Sequence, residues 1–164
     1  MTDYSYGPLA ETDGIAVIDI FNYYIRTTFA AYPEQEVPYE FIGMFLEICK
    51  NYPSVVVKDS EKNVAGFGML RPHNPMPAFR HTAEVTCFIR HGETGKGLGT
   101  KMLAFLETEG KKQGISTILA SISSLNEGSI HFHSSNGFSE CGRFKKVGQK
   151  KGVVFDTVWM QKFI

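Results

Sequence analysis

The apolar residues of this chain change period at Ser54, and that change limits the fold more than any other feature. Before it, Ile15, Ile18, Phe21, Ile25 and Phe29 recur at helical spacing. Thr12 or Asp13 stands where such a helix wants an N-cap. Pro33 predicts its end, because the residue before proline is pushed out of the helical region. Tyr39–Asn51 predicts a second amphipathic helix with Phe41, Met44, Phe45 and Ile48 on one face. From Ser54 onward the pattern becomes that of strands. Ser54–Lys58 is a valine run, and Val64–Leu70 follows the polar turn Asp59–Asn63, which predicts a hairpin. Ala83–Ile89 is a further strand, separated from the hairpin by the proline-rich loop Arg71–Pro77.

The two periods then alternate. Gly97–Gln113 predicts a long helix with Leu98, Met102, Phe105 and Leu106 inward, and Ile115–Ile122 a buried strand. Glu127–Ser135 predicts a short helix, and Phe138–Val147 with Val153–Gln161 a closing hairpin. Counting the short extended opening Tyr4–Pro8, the order is β-α-α-β-β-β-α-β-α-β-β. It describes a mixed sheet of about seven strands with about four helices on its two faces, an α/β or α+β domain. At 164 residues the length suits one domain spanning 1–164, long enough for a hydrophobic core.

Charge excludes some functions. Lys+Arg and Asp+Glu both number 17, so no global field favours nucleic acid or an anionic membrane. The one dense basic stretch, Arg143–Lys151, alternates with apolar residues and glycines and reads as a strand pair with a solvated face. Cys49, Cys87 and Cys141 are far apart in the sequence, without metal-ligand spacing, and are expected as small buried hydrophobes. Acidic residues salt the first thirty positions and no stretch has the length of a membrane span, so a cytoplasmic, reduced protein without a signal peptide is expected.

One loop carries chemistry. Thr94-Gly-Lys-Gly-Leu-Gly99 lies between a predicted strand and a predicted helix. Free main-chain N–H groups at a helix start, with the helix dipole, stabilise a diphosphate. Glycines let the backbone approach the phosphate oxygens, and Lys96 adds a positive charge. A Walker A loop is excluded, because Arg90 stands where its first glycine belongs and Gly97 follows the lysine. The dinucleotide spacing Gly-x-Gly-x-x-Gly is missed as well, since the glycines fall at 95, 97 and 99.

Phe88–Leu103 resembles the central motif of the GNAT N-acetyltransferases, in which [Gln/Arg]-x-x-Gly-x-[Gly/Ala] binds the diphosphate of coenzyme A. Gly97 and Gly99 match it, and Thr94 replaces the usual Gln or Arg. Asn126-x-x-Ser129 followed by Phe132-His133-Ser-Ser-Asn-Gly137-Phe138 is similar to the later GNAT segment Asn…Leu-Tyr-Glu-x-x-Gly-Phe. The histidine in place of tyrosine resembles the phosphinothricin acetyltransferase-like branch. Ile20–Ile25, Ala78–Glu84, Gly142–Lys150 and Asp156 with Trp159–Gln161 resemble that branch too. Met76-Pro77 stands where the branch usually carries a second arginine, and His133-Ser134 replaces its His-Glu pair; both departures touch the acceptor pocket.

The resemblance implies the GNAT fold, acetyl-coenzyme A as cosubstrate, no metal, a homodimer, and a small amino-acid-like amine of the phosphinothricin or methionine sulfoximine/sulfone type as acceptor. A protein or peptide acceptor, or a non-catalytic coenzyme A-binding domain, are the other readings. Phe88, Ile89, Thr94, Gly95, Lys96, Gly97, Leu98, Gly99, Thr100, Asn126 and Ser129 are the implied coenzyme contacts. Asn126 serves equally as a helix N-cap.

Direct transfer to an amine needs a base, an oxyanion donor and an acid for the departing thiolate. Glu84 interrupts an apolar strand on the face of Thr86 and Phe88, and is the candidate base. His133 is the candidate acid, or alternatively the base, since a histidine titrates near neutrality. His131, two positions away on the predicted helix, points elsewhere and shares no metal with it. A main-chain N–H near Phe88 is the candidate oxyanion donor. Tyr24, Phe29, Arg71 and Arg80 are candidate acceptor residues, an arginine being suited to a bidentate carboxylate or phosphinate contact.

Overall fold

The computed structural model describes residues 3–164. Its elements follow the expected order: β1 (Ser5–Gly7), α1 (Gly14–Thr27), α2 (Ile42–Ile48), β2 (Ser54–Lys58), β3 (Val64–Pro72), β4 (Thr82–Ile89), α3 (Leu98–Lys112), β5 (Thr117–Ser123), α4 (Glu127–Ser135), β6 (Ser139–Lys150) and β7 (Val153–Phe163). The seven strands form one sheet in the order β1-β2-β3-β4-β5-β7-β6. Every neighbouring pair is antiparallel except β4 with β5. No described helix is long and apolar enough to cross a membrane.

Alternation along the strands feeds two cores. Val55, Val57, Ala65, Leu70, Ala83, Val85, Ile118, Ala120 and Ile122 pack against α3 through Leu98, Met102, Leu103 and Leu106. Val56, Val64, Phe67 and Met69 point to the other face and meet Val17, Ile18, Phe21 and Ile25 of α1 and Phe45 of α2. Gly68 is fixed by this packing, because a Cβ there would lie 2.6 Å from Cys87 Sγ and 2.9 Å from the Thr86 carbonyl.

Several boundaries and faces differ from expectation. α1 stops at Thr27, six residues before Pro33, because the Thr27 and Thr28 hydroxyls donate to the Tyr23 and Tyr24 carbonyls and Thr28 turns extended. Phe29 therefore lies beyond the helix, and Ile15 on its outer side is exposed. Asp13 does not cap α1 through its side chain; its carboxylate accepts from Ala10 N–H and pairs with Lys58 Nζ at 2.6 Å. The second helix is shorter than predicted, with a single 3-10 turn at Tyr39–Phe41 ahead of it. Ile42 and Phe45 are its buried residues, while Met44 and Ile48 are exposed. In α3, Leu103 is buried and Phe105 is only partly so.

Among the cysteines only Cys49 is buried; Cys87 is intermediate and Cys141 exposed. The closing hairpin runs three residues further than expected on β6 and turns through Lys151 and Gly152, both at positive φ. Its basic face is solvated except at Lys150, which is 1% exposed.

Candidate active site

The pairing of β4 with β5 determines where a ligand can go. It covers only Thr82–Glu84 against Thr117–Leu119. Beyond Glu84 the two parallel strands have no shared register, whereas β4 stays paired with β3 as far as Ile89 and β5 with β7 as far as Ser123. The facing edges of β4 and β5 thus separate, and main-chain groups on them are left for another partner. A cavity of about 880 Å³ occupies this gap, lined by Val85–Ile89 on one side and Ala120–Ser123 on the other.

At the C-terminal end of β4 the cavity meets the glycine loop. Gly92, Gly95 and Gly97 have φ of +88°, +79° and +76°, the left-handed region that glycine enters without steric cost. A Cβ at Gly95 or Gly97 would meet nothing within 4 Å. Gly97 is the N-cap residue of α3, and no side chain caps that helix. The first N–H groups of α3 therefore face the cavity with the positive end of the helix dipole. Gly99 has another role: its bare Cα lies against the Phe132 ring, which a Cβ would approach to 3.0 Å. That contact seats α4 against α3.

Thr94, Gly95, Gly97, Leu98, Gly99 and Thr100 all line the cavity, as do Phe88, Ile89, Asn126 and Ser129. Lys96 does not. Its ammonium pairs with Glu93 at 3.0 Å, and Glu93 also accepts from the Tyr4 hydroxyl at 2.6 Å. Those hydrogen bonds hold the Glu93 carboxyl below the usual range. The charge expected of Lys96 is thus largely cancelled within the loop. Asn126 is a helix cap that also reaches the cavity: its Oδ1 accepts from Ser129 N–H at 3.2 Å, which leaves its amide N–H₂ group available.

His133 is buried in α4, and its ring packs edge-on to Phe132 and Phe138. Nδ1 lies 2.8 Å from the Ser129 carbonyl. A carbonyl only accepts, so Nδ1 carries the hydrogen and Nε2 presents a lone pair. Burial lowers the pKa of the ring, with the Ser129 contact opposing it. Neutral His133 can accept a proton in the resting protein and can donate from Nε2 only after doing so.

At the other end of the gap, roughly five residues or ~17 Å back along β4, the structure joins two residues that the sequence placed in separate roles. Arg71 Nη2 meets Glu84 Oε2 at 2.5 Å, and His73 Nδ1 meets Glu84 Oε1 at 2.9 Å. Both carboxylate oxygens are engaged, which leaves Glu84 less free to act as a base. Arg71 lines the cavity; Glu84 does not. Tyr24 also lines it, but its hydroxyl is spent on the Ile89 carbonyl at 2.6 Å, tying α1 to the end of β4. Phe29 packs on Phe155 instead, and Arg80 is exposed after the turn Pro77–Phe79; neither lines the cavity.

Tyr32, Ser121 and Thr28 belong to the wall as well, together with Arg71. Tyr32 and Thr28 sit in an irregular stretch without a motif. Ser121 is placed by strand pairing and His73 by its position just past the end of β3, neither of which a single sequence reveals. Only the break in apolar alternation at Ser121 and Ser123 marks β5 as facing something polar. Among the described residues no group of three His, Cys, Asp or Glu side chains could hold a metal ion.

Residues 17–138 match the model of the acetyltransferase (GNAT) family. The chain belongs to that family. Over 112 residues it is 35% identical to the L-methionine sulfoximine/L-methionine sulfone acetyltransferase of Pseudomonas paraeruginosa, covering 68% of this chain and 65% of that enzyme, just under two thirds of its length. Over 153 residues it is 31% identical to the L-amino acid N-acyltransferase MnaT of Escherichia coli, covering 92% of this chain and 88% of that one. The GNAT fold is shared with a solved ribosomal-protein-alanine N-acetyltransferase from Brucella melitensis, with a TM-score of 0.91 and 32% identity over 98% of this chain and 99% of that one. It is shared equally with a phosphinothricin acetyltransferase from Sinorhizobium meliloti in complex with acetyl-CoA, with a TM-score of 0.92 and 25% identity over 98% of this chain and 88% of that one.

Proposed function

We propose that this GNAT protein transfers an acetyl group from acetyl-coenzyme A directly to the primary amine of a small amino-acid-like acceptor. The observation that carries the reading is a single cavity opened between β4 and β5. An uncapped, glycine-opened helix N-terminus lies at one end, Arg71 in its pair with Glu84 at the other, and His133 on the wall.

Acetyl-coenzyme A supplies an acyl group already activated as a thioester. The N–H groups of Leu98, Gly99 and Thr100 suit its diphosphate. The separated edges of β4 and β5, with the Asn126 amide, offer hydrogen-bond partners to the pantetheine arm. Arg71 has five N–H donors and uses one amino group on Glu84, so the rest of its fork can take an acceptor carboxylate. Glu84 keeps that arginine aimed. His133 Nε2 takes one proton from the acceptor ammonium, freeing the lone pair that forms the C–N bond, and returns it to sulfur as the C–S bond breaks. The second proton, left on the nitrogen of the tetrahedral intermediate, passes to solvent. A main-chain N–H near Phe88 is the proposed donor to the developing oxyanion.

A small acceptor fits the wall formed by Tyr32, Pro33 and Arg71. The name of the Brucella relative gives a peptide beginning with alanine as the second acceptor to try. The reading further includes a homodimer formed through the exposed apolar residues Phe144, Val147, Val153 and Val154 of the closing hairpin. A cytoplasmic setting suits three unpaired cysteines.

Thiol release from acetyl-coenzyme A, measured across amino acids, phosphinothricin, methionine sulfoximine and sulfone, polyamines and an alanine-starting peptide, tests the reading. Release with the amino-acid-like amines is the expected result. Silence on every amine with coenzyme binding intact would leave only a coenzyme-binding domain.

A further inference from the structure

Lys150 ends β6 and is the only buried lysine among the described residues. Among the described residues no carboxylate forms an ion pair with it. Its ammonium donates to three main-chain carbonyls instead: Ile25 at 2.7 Å, Thr28 at 2.8 Å and Ala31 at 2.6 Å. An ammonium has three N–H donors and no acceptor, so its hydrogen-bonding capacity is spent on three oxygens. A neutral amine would turn a lone pair toward one of those carbonyls and leave it buried without a donor. Burial lowers the pKa of Lys150, but the geometry is complete only for the charged form.

The three carbonyls lie at the end of α1 and in the irregular stretch after it, 119–125 residues away in sequence. Thr28, Ala30, Ala31, Tyr32 and Pro33 of that stretch form one wall of the cavity. Its own local support is thin: Ala30 N–H donates to the Thr28 hydroxyl. The tip of the β6–β7 hairpin supplies the rest. Lys151 N–H donates to Glu34 at 2.9 Å, and the Lys151 ammonium donates to the Arg26 carbonyl. The Phe155 ring stacks on Tyr32 with centroids 5.8 Å apart and meets Phe29 edge-on. Gly148 makes room for that ring, since a Cβ there would lie 2.2 Å from it.

We propose that Lys150 is a positioning residue for acceptor recognition: its ammonium fixes residues 28–32 so that Tyr32 keeps its place with Ser121 and Arg71 on the wall at the acceptor end of the cavity. This rests on reading that end as the acceptor site. None of the carbonyls it holds belongs to the coenzyme loop, so the two substrates should respond differently to its loss.

The test is Lys150→Met, which removes the ammonium and keeps a long apolar stem, alongside Lys150→Gln. Steady-state kinetics with acetyl-coenzyme A and the best amine of the panel should show acceptor KM raised about tenfold or more, the equivalent of one charged hydrogen bond. The coenzyme KM should stay within about twofold. Equal rises in both KM values, or no rise in either, would overturn the proposal. Should both variants fail to fold, the wild-type protein labelled with ¹⁵N at lysine Nζ gives the answer. The protected Lys150 ammonium resonance should shift on adding the amine and stay put on adding coenzyme A alone, and the reverse would overturn the proposal. The two levels of the account fail separately. A wild type inactive with every amine sinks the acceptor reading, whereas an active wild type whose Lys150→Met variant keeps its acceptor KM sinks only the role of Lys150.

Discussion

At the scale of single residues the chemistry turns on which way a proton can move. His133 gives its Nδ1 hydrogen to the Ser129 carbonyl and presents an Nε2 lone pair. The neutral ring is the working form for accepting a proton, and burial pushes its pKa below the usual histidine value. The rate should therefore hold as pH falls through the ordinary histidine range and drop only below it; a pH–rate profile of kcat/KM for the amine checks this. The same direction applies to stability. A folded pKa below the unfolded one means the contribution is present above the unfolded value and is lost as pH falls from there through the folded value. His133→Ala should lower kcat by about 10²–10⁴ with the coenzyme KM little changed, and equal losses in both would give His133 a binding role instead. Glu84→Gln leaves Arg71 and His73 without their shared carboxylate. It should raise acceptor KM and lower stability by about 1–3 kcal/mol, read by kinetics and by thermal melting. An unchanged acceptor KM would remove Glu84 from the acceptor end. The candidate status of His133 and Glu84 was legible from their places in the sequence. The pairing of Glu84 with Arg71 was not, because it arises from antiparallel register between β3 and β4.

At the scale of elements the start of α3 is the part that sequence described best. Three glycines within five residues at a strand-to-helix junction have few structural meanings, and two of them, Gly95 and Gly97, take the left-handed conformation that only glycine adopts easily. Gly97→Ala should cost about 1–2 kcal/mol of stability from that conformation, with no steric clash inside the protein. It should raise the coenzyme KM well beyond what the stability loss explains, because the new methyl enters the ligand's space; calorimetric titration with coenzyme A checks it. Asn126→Ala removes the cap of α4 and should cost about 1 kcal/mol in thermal unfolding. Helix ends were less legible. The threonine hydroxyls at 27 and 28 stopped α1 earlier than Pro33 would have, a local competition that apolar periodicity does not register. Met44 and Ile48 misled in a similar way: they have helical spacing, but they border the cavity instead of the core.

At the scale of the whole molecule the decisive feature is one break in one sheet. Seven strands in the observed order put the single parallel neighbour pair, β4 and β5, near the middle, and its short register opens the cavity. The number and order of elements could be read from the sequence, since each has a clear period. Strand adjacency could not, because it depends on contacts between residues far apart in the chain. Lys150 shows the same limit most plainly: a lysine in a basic, alternating stretch reads as solvated, yet it is buried against carbonyls more than a hundred residues earlier. The proposed dimer is also a property of this scale. Phe144→Glu with Val154→Lys on the exposed hairpin face should shift the protein to monomer by light scattering, and an unchanged mass would move the interface elsewhere. The most direct test of the central claim is to incubate the protein with acetyl-coenzyme A and methionine sulfone and measure thiol released and N-acetylated product together. The account predicts one acetylated amine per thiol, with acetyl found on no protein side chain. Thiol release without acetylated amine, or no release while coenzyme A binds, would contradict it.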